Sequence, residues 1–305
     1  MNEKISEILR QIETVVVGKN EIVEKILMAI LAGGHVLMED VPGVGKTTTA
    51  MTFAKVLGLD TKRVQFTSDT VPSDIIGYSV YDKESGSFVY KPGAVMTNLL
   101  LADEINRTSS KTQSALLEAM EELHVTVDGK TYELPQPFVV LATQNPLESF
   151  GTFPLPDAQM DRFFMRLSLG YMNREQEMEV LSRPSAQAVL SQLNPVVTPE
   201  ETAYVRTAYR EVKVSDDVKN YLMDIVEATR MQGGFVSGVS TRGALALYQA
   251  AQAYAALQGR DYVVPEDVKG LAPAVLCHRV VLGGSMNAEA ATQRLRKLLS
   301  DVEVP

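Results

Sequence analysis

The chain has 305 residues, 45% of them hydrophobic and 22% charged, with a net charge of −9 at pH 7 and a single cysteine. This length suggests about two domains with a sizeable core, and the composition is that of a soluble globular protein. The acidic balance argues against a nucleic-acid-binding surface, and lone Cys277 excludes an intramolecular disulfide framework.

Cys277 reads as a small buried hydrophobe in a reducing compartment. The opening Met1-Asn2-Glu3-Lys4-Ile5 lacks the long apolar stretch of a signal peptide, and no run approaches the roughly 20 apolar residues of a membrane span. A cytoplasmic location without a membrane span is therefore expected. His35, His124 and His278 stand far apart, which gives little support to metal chemistry beyond magnesium.

Two helical stretches occupy Glu3 to Leu31, ahead of a short apolar strand at Val36–Met38. Glu39-Asp40-Val41-Pro42-Gly43-Val44-Gly45-Lys46-Thr47 follows, and a helix is expected over Thr48–Leu57. Strand, glycine loop and helix in that order read as a phosphate-binding P-loop. Gly43 and Gly45 let the backbone approach an anion, and the helix N-terminus aims its free N–H groups there. The candidate nucleotide contacts are Pro42, Gly43, Val44, Gly45, Lys46, Thr47 and Thr48. Lys46 would reach the β- and γ-phosphates, and the Thr47 hydroxyl would ligate Mg2+. Asp40 stands where the pattern asks for glycine, and because Asp tolerates positive φ better than most residues the turn remains feasible.

A second strand is predicted near Arg63–Phe66, and Ser79 to Tyr90 alternates around Ser85-Gly86 as a hairpin. The apolar run from Asn98 ends in Asp103-Glu104, reading as a buried strand that delivers two carboxylates to its C-terminal edge. Asp103 suits a magnesium shell, and Glu104 is placed to deprotonate an attacking water. Thr112 to Leu123 is predicted as an amphipathic helix with Ala115, Ala119 and Leu123 on its buried face. Asp128-Gly129 then signals a second hairpin between Val125–Val127 and Lys130–Tyr132. Both hairpins either complete the fold or grip a partner. A strand at Phe138–Thr143 ends at Gln144-Asn145-Pro146, where the Asn145 amide can bond both a γ-phosphate and a water, although Asn-Pro is also a turn signal.

After Asn194-Pro195 the strand signals fade. Thr198-Pro199-Glu200-Glu201 is a capping box, and further helices are predicted over Asp216–Met231, stopping at Gly233-Gly234, over Thr241–Leu257, and from Pro265. The fold class is therefore α/β: a parallel sheet flanked by helices over residues 1–194, with two hairpin insertions, then an all-helical lid over 195–305. Arg242 opens a lid helix, where a cation opposes the helix dipole, so a phosphate contact is expected in preference to a surface ion pair. The Asp161-Arg162 pair reads by itself as a local ion pair.

Taken together, the blocks Glu39–Thr47, Leu99–Arg107, Lys111–Glu122, Ala142–Pro146 and Leu155–Phe163 resemble the AAA+ ATPases, specifically the MoxR family. The resemblance covers nearly the whole chain. It implies Walker A and Walker B motifs around Lys46 and Glu104, sensor 1 at Asn145, sensor 2 at Arg242, and an adenine pocket lined by Val17 and Gly18. It makes Arg162 the arginine finger offered to a neighbouring subunit, with Arg166 and Arg107 as the other candidates. Catalysis would thus rest on Glu104, Asn145, Arg162 and Arg242, and the metal on Thr47 and Asp103.

The implied activity is Mg2+-dependent ATP hydrolysis by a homo-oligomeric ring, expected as a hexamer. Its implied role is chaperone-like, maturing or activating a client such as a von Willebrand factor A domain protein, with ATP tying the lid to the core by binding both Arg242 and Lys46. A DNA-directed AAA+ motor and a magnesium-chelatase-like subunit are the alternatives.

Overall fold

The computed structural model describes residues 2–41, 43–145, 151–231, 234–283 and 288–305. Pro42, Pro146 and Gly233, all named above, lie outside them. Helices α1 (Asn2–Glu13) and α2 (Asn20–Ala32) precede strand β1 (Val36–Glu39). Helix α3 (Lys46–Val56) leads to β2 (Thr61–Gln65), and α4 (Pro72–Ile76) enters the hairpin of β3 (Gly77–Asp82) and β4 (Ser87–Pro92). Strand β5 (Leu99–Asp103) is followed by α5 (Ser110–Glu122), the hairpin of β6 (His124–Val127) and β7 (Lys130–Glu133), and β8 (Val139–Gln144). A single turn, α6 (Asp157–Met160), precedes β9 (Met165–Leu167). Helices α7 (Arg174–Ser182), α8 (Ala186–Gln192), α9 (Pro199–Ala208) and α10 (Asp216–Met231) come next. Strand β10 (Phe235–Ser237), α11 (Thr241–Leu257), α12 (Pro265–Leu276), β11 (Val281–Leu282) and α13 (Ala288–Asp301) complete the chain.

Five parallel strands form the central sheet in the order β2-β5-β8-β1-β9. Their residues alternate between two apolar layers. Val36, Met38, Leu99, Leu101, Val139 and Leu141 face α1, α2, α3 and the helical lid, while Leu37, Leu100, Ala102, Val140 and Ala142 face α5. Burial of a Val or Leu contributes about 1.5–3 kcal/mol, so a one-residue slip, which exchanges the two faces, is strongly disfavoured. The lid joins the first layer directly: α11 packs on α2, and α12 lies against β9.

Two expectations are corrected here. Strand β9 carries no strong sequence signal because it has only three residues, Met-Arg-Leu, yet it adds a fifth strand beside β1. The buried face of α5 consists of Thr112, Gln113, Leu116, Leu117, Ala119 and Met120. Leu123 instead ends the helix in the left-handed conformation, and Ala115 is only half-buried. The second hairpin forms as the Asp128-Gly129 pair demands, with φ of 50° and 74°, the turn that matches strand twist.

His35, at the start of β1, ties three elements together. Its Nδ1 accepts from the Val140 N–H at 3.0 Å, and its Nε2 donates to the Met120 carbonyl at 3.0 Å. Burial holds the ring neutral, pushing its pKa from the usual 6.5 down to about 4. The unfolded chain takes up a proton between those values that the folded chain refuses. Stability is therefore intact above pH 6.5 and falls as pH drops toward 4, by about 3 kcal/mol. Burial pushes His278 in the same direction. Urea denaturation should show midpoints declining from pH 7 to pH 5. His35→Asn, which keeps a donor and an acceptor but does not titrate, should lower stability at pH 7 and flatten that decline.

Candidate functional site

Strand β1 ends at the glycine loop. Gly43 and Gly45 have φ of 87° and 94°, and Gly45 is the N-cap of α3. A Cβ placed on either glycine meets no atom within 4 Å, so the concave side of the loop is open for a bound group. Lys46 Nζ folds across the loop and donates to the Asp40 carbonyl at 2.8 Å and, more weakly, to that of Val41 at 3.4 Å. Thr47 and Thr48 lie half-buried in the first turn of α3, and Val44 packs against the core. An open cradle of N–H groups with a lysine drawn across it fits a phosphate chain.

Asp40 does not need positive φ here. Its buried carboxylate accepts three hydrogen bonds: from Ser168 Oγ at 2.7 Å, the Leu169 N–H at 2.6 Å and the Gly170 N–H at 3.0 Å. The acid is therefore an anchor for the segment leaving β9. Lys19 holds the same segment through its carbonyls, donating from Nζ to those of Gly170 at 3.2 Å and Tyr171 at 2.8 Å. Val17 is buried, and Gly18, with φ of 66°, accepts from Gln176 Nε2 at 3.1 Å. A Cβ on Gly18 would come within 2.2 Å of that side chain. The 17–19 turn, the 168–171 segment and the glycine loop thus form one continuous shelf.

Strand β5 is buried throughout and ends at Asp103. Arg63 Nε donates to Asp103 Oδ2 at 2.7 Å, and Thr143 Oγ1 donates to Oδ1 at 3.3 Å. Glu104 takes φ of 57°, a left-handed conformation costing a non-glycine residue roughly 1–2 kcal/mol. Its N–H donates to Thr143 Oγ1 at 3.0 Å, and its carboxylate pairs with Arg107 Nε at 2.8 Å. Asn145 is buried just past the end of β8, which lies between β5 and β1. Glycine loop, Asp103, Glu104 and Asn145 therefore share the C-terminal edge of the sheet. Among the described residues no group of three or more His, Cys, Asp or Glu side chains could hold a metal. The Thr47 hydroxyl and Asp103 carboxylate instead suit a magnesium ion that completes its shell with phosphate and water oxygens.

Arg162 and Arg242 lie elsewhere. Arg162 precedes β9, whose Met165 is in register with Val36 at the start of β1. Arg162 Nε pairs with Glu121 Oε2 at 3.0 Å, and Arg242 bonds to Oε1 of the same carboxylate. Glu121 follows Met120, whose carbonyl is bonded to His35. The arginines therefore sit at the N-terminal edge, one strand length or about 13 Å from the glycine loop of their own chain. Arg242, expected at a phosphate, forms an ion pair with Glu121 here. Asp161, for its part, pairs with Arg279 rather than Arg162. Of the other arginines named for the finger, Arg107 pairs with Glu104 and Arg166 with Glu39 at 3.4 Å.

Arg279, buried in the lid, was not singled out from the sequence. Its guanidinium donates to Asp161 Oδ1 at 2.7 Å and to the carbonyls of Asp161, Phe163 and Phe164 at 3.2, 2.6 and 3.1 Å. Burial pushes its pKa down against the opposing pull of Asp161. Ser240 caps α11 by accepting from the Gly243 N–H and donates to Asp161 Oδ2 at 3.0 Å. Arg63, Thr143, Lys19 and Glu121 were also missed; Lys19 alone had a local signal, following the Val17-Gly18 turn.

A profile described as the ATPase family associated with various cellular activities (AAA) matches residues 35–165, and an AAA lid domain profile matches 227–300. The Bacillus subtilis protein YeaC is 48% identical over 299 residues, spanning 97% of this chain and 93% of its own length. Chaperone MoxR1 of Mycobacterium tuberculosis is 39% identical over 311 residues, spanning 97% of this chain and 81% of its own. A crystal structure of a candidate ATPase from Cytophaga hutchinsonii superimposes with a TM-score of 0.91 at 40% identity, over 100% of this chain and 96% of that one. The chain belongs to the MoxR family of AAA+ ATPases. Among the described residues no helix is long and apolar enough to cross a membrane.

Asp40→Asn should test the shelf. It keeps the shape but turns an amide donor toward groups that are themselves donors, at a cost of about 1–3 kcal/mol. The expected outcome is a lower thermal midpoint together with weaker nucleotide binding by titration.

Proposed function

We propose that this chain hydrolyses ATP to ADP and phosphate in a homo-oligomeric ring, expected as a hexamer, and uses the cycle to remodel or activate a partner protein in the cytoplasm. A von Willebrand factor A domain protein is the partner class the family suggests. The observation that carries the reading is the division of the site between opposite sheet edges: the phosphate cradle with Asp103, Glu104 and Asn145 on one, Arg162 and Arg242 on the other. A chain so arranged cannot bring its own arginines to its own phosphates. A neighbour can, and a closed ring supplies one neighbour to every site.

In this reading the N–H groups of Gly43, Val44, Gly45, Thr47 and Thr48 and the Lys46 ammonium hold the phosphates, with Pro42 in the same loop. Lys46 exchanges the Asp40 carbonyl for phosphate oxygens. Val17 and Gly18 line the adenine side of the shelf. Thr47 and Asp103 would hold Mg2+, which when bound neutralises charge on the β- and γ-oxygens. Glu104 leaves Arg107 and accepts the proton of the attacking water, while Asn145 orients that water against the γ-phosphate. Arg162 and Arg242 enter from the next subunit and stabilise charge in the transition state.

Glu104→Gln should abolish phosphate release while nucleotide titration still shows binding, because the amide keeps the shape but cannot take the proton. Removing Arg162 should cost ~10³-fold in rate. Mixing Arg162→Ala chains with Glu104→Gln chains should then restore activity, since some junctions pair an intact Glu104 with an intact Arg162. The same rescue is expected for Arg242→Ala. Mixtures that never exceed the sum of their parents would remove both arginines from the neighbouring site. Because Glu104→Gln holds the ATP-bound state, it is also the variant with which to capture the partner.

A further inference from the structure

Glu121 stands near the C-terminal end of α5, and each oxygen of its carboxylate takes a different arginine: Oε2 takes Arg162 of the core and Oε1 takes Arg242 of the lid. Neither charge at the lid contact suits its own helix. An anion at a C-terminus and a cation in a first turn both oppose the helix dipole. Each is unfavourable alone, and together they compensate one another.

The framework around the three side chains is rigid. The His35–Met120 bond and the left-handed Leu123 fix the end of α5. Arg279 holds the carbonyls of Asp161, Phe163 and Phe164, bracketing the Arg162 backbone. The contact between Ser240 and Asp161 pins the first turn of α11 to the same segment. A Cβ on Gly243 would press on Val239 Cγ1 at 2.7 Å and Arg279 Cδ at 2.8 Å, so a glycine beside Arg242 lets α11 pack against Arg279 within the lid. Arg162 and Arg242 are two long guanidinium side chains of like charge, and Glu121 is an acceptor that they share.

We propose that Glu121 is the positioning residue of the arginine pair: it holds Arg162 and Arg242 side by side so that both meet one phosphate group of the neighbouring subunit. The inference rests on the reading that these arginines act across the subunit boundary. Two guanidiniums and one carboxylate leave a net charge of +1, so the cluster still attracts an anion. The side chains of Glu121, Arg162 and Arg242 are 36%, 32% and 48% exposed, which leaves the guanidiniums accessible. Ion pairs this exposed contribute little to stability, so a Glu121 variant should fold.

The test is Glu121→Gln, which keeps the shape and removes the charge. Ring assembly with a non-hydrolysable ATP analogue and the KM for ATP should stay near wild type, while kcat falls by about 10–100-fold, the scale of a misplaced catalytic group. Combined with Arg242→Ala, the substitution should cost much less than in the wild-type background, because it acts through the arginines. An equal loss in both backgrounds would overturn the inference, as would wild-type turnover. Faster turnover would make Glu121 a restraint and overturn it equally. Should Arg162→Ala and Arg242→Ala themselves hydrolyse ATP normally, the across-boundary reading fails. If they are inactive while Glu121→Gln is active, only the role of Glu121 fails.

Discussion

All five strands of the central sheet run in one direction, and that polarity allots the chemistry. A parallel sheet ends its strands, and hence opens its ligand-facing loops, on one side. The glycine loop, Asp103, Glu104 and Asn145 all leave their strands on that side. What precedes the strands collects on the other, including Arg162 ahead of β9 and His35 ahead of β1. The arginine pair lies about one strand length from the cradle, and the proposed ring would bring one chain's arginines toward the next chain's cradle.

Loops on the nucleotide edge are shaped by buried polar contacts. Asp40 and Lys19 both grip the 168–171 segment, and Thr143 links Asp103 to the Glu104 backbone. Such contacts differ in kind from the exposed pairs of the surface. Breaking a buried charged pair costs about 3–5 kcal/mol, whereas a surface pair contributes about 0–1. By that measure Arg279 with Asp161 is structural: it fastens the lid to the segment that carries Arg162. The pairs of Glu104 with Arg107 and of Glu121 with its two arginines are more exposed and can exchange partners.

The two hairpins touch one another. Tyr90 of β4 stacks on Tyr132 of β7 with centroids 4.0 Å apart and planes 16° from parallel. The Tyr90 hydroxyl also donates to the Ile76 carbonyl at 2.6 Å. A stack of this kind adds about 0.5–1.5 kcal/mol beyond burial, enough to bias the hairpins toward moving together. Tyr78, Tyr81 and Phe88 are exposed on the first hairpin, with Tyr81 and Phe88 edge to face at 5.5 Å.

The sequence by itself determined what depends on neighbouring residues. The glycine loop, the apolar strand ending in Asp103-Glu104, the Asp128-Gly129 turn and the helices Asp216–Met231 and Thr241–Leu257 are all specified by spacing within a few residues. Resemblance to the MoxR family came from the order of those local blocks. Only the tertiary structure decided who pairs with whom. Asp40 meets a segment about 130 residues away, Arg279 reaches back 118 residues to Asp161, and Arg242 finds Glu121 across 121 residues. Even β9 is a strand because β1 offers it a partner, its three residues being too few to show a period. Periodicity and capping are short-range physics and can be read along the chain. Hydrogen bonds and ion pairs between distant segments follow from how the helices and sheet pack, and no local spacing encodes them.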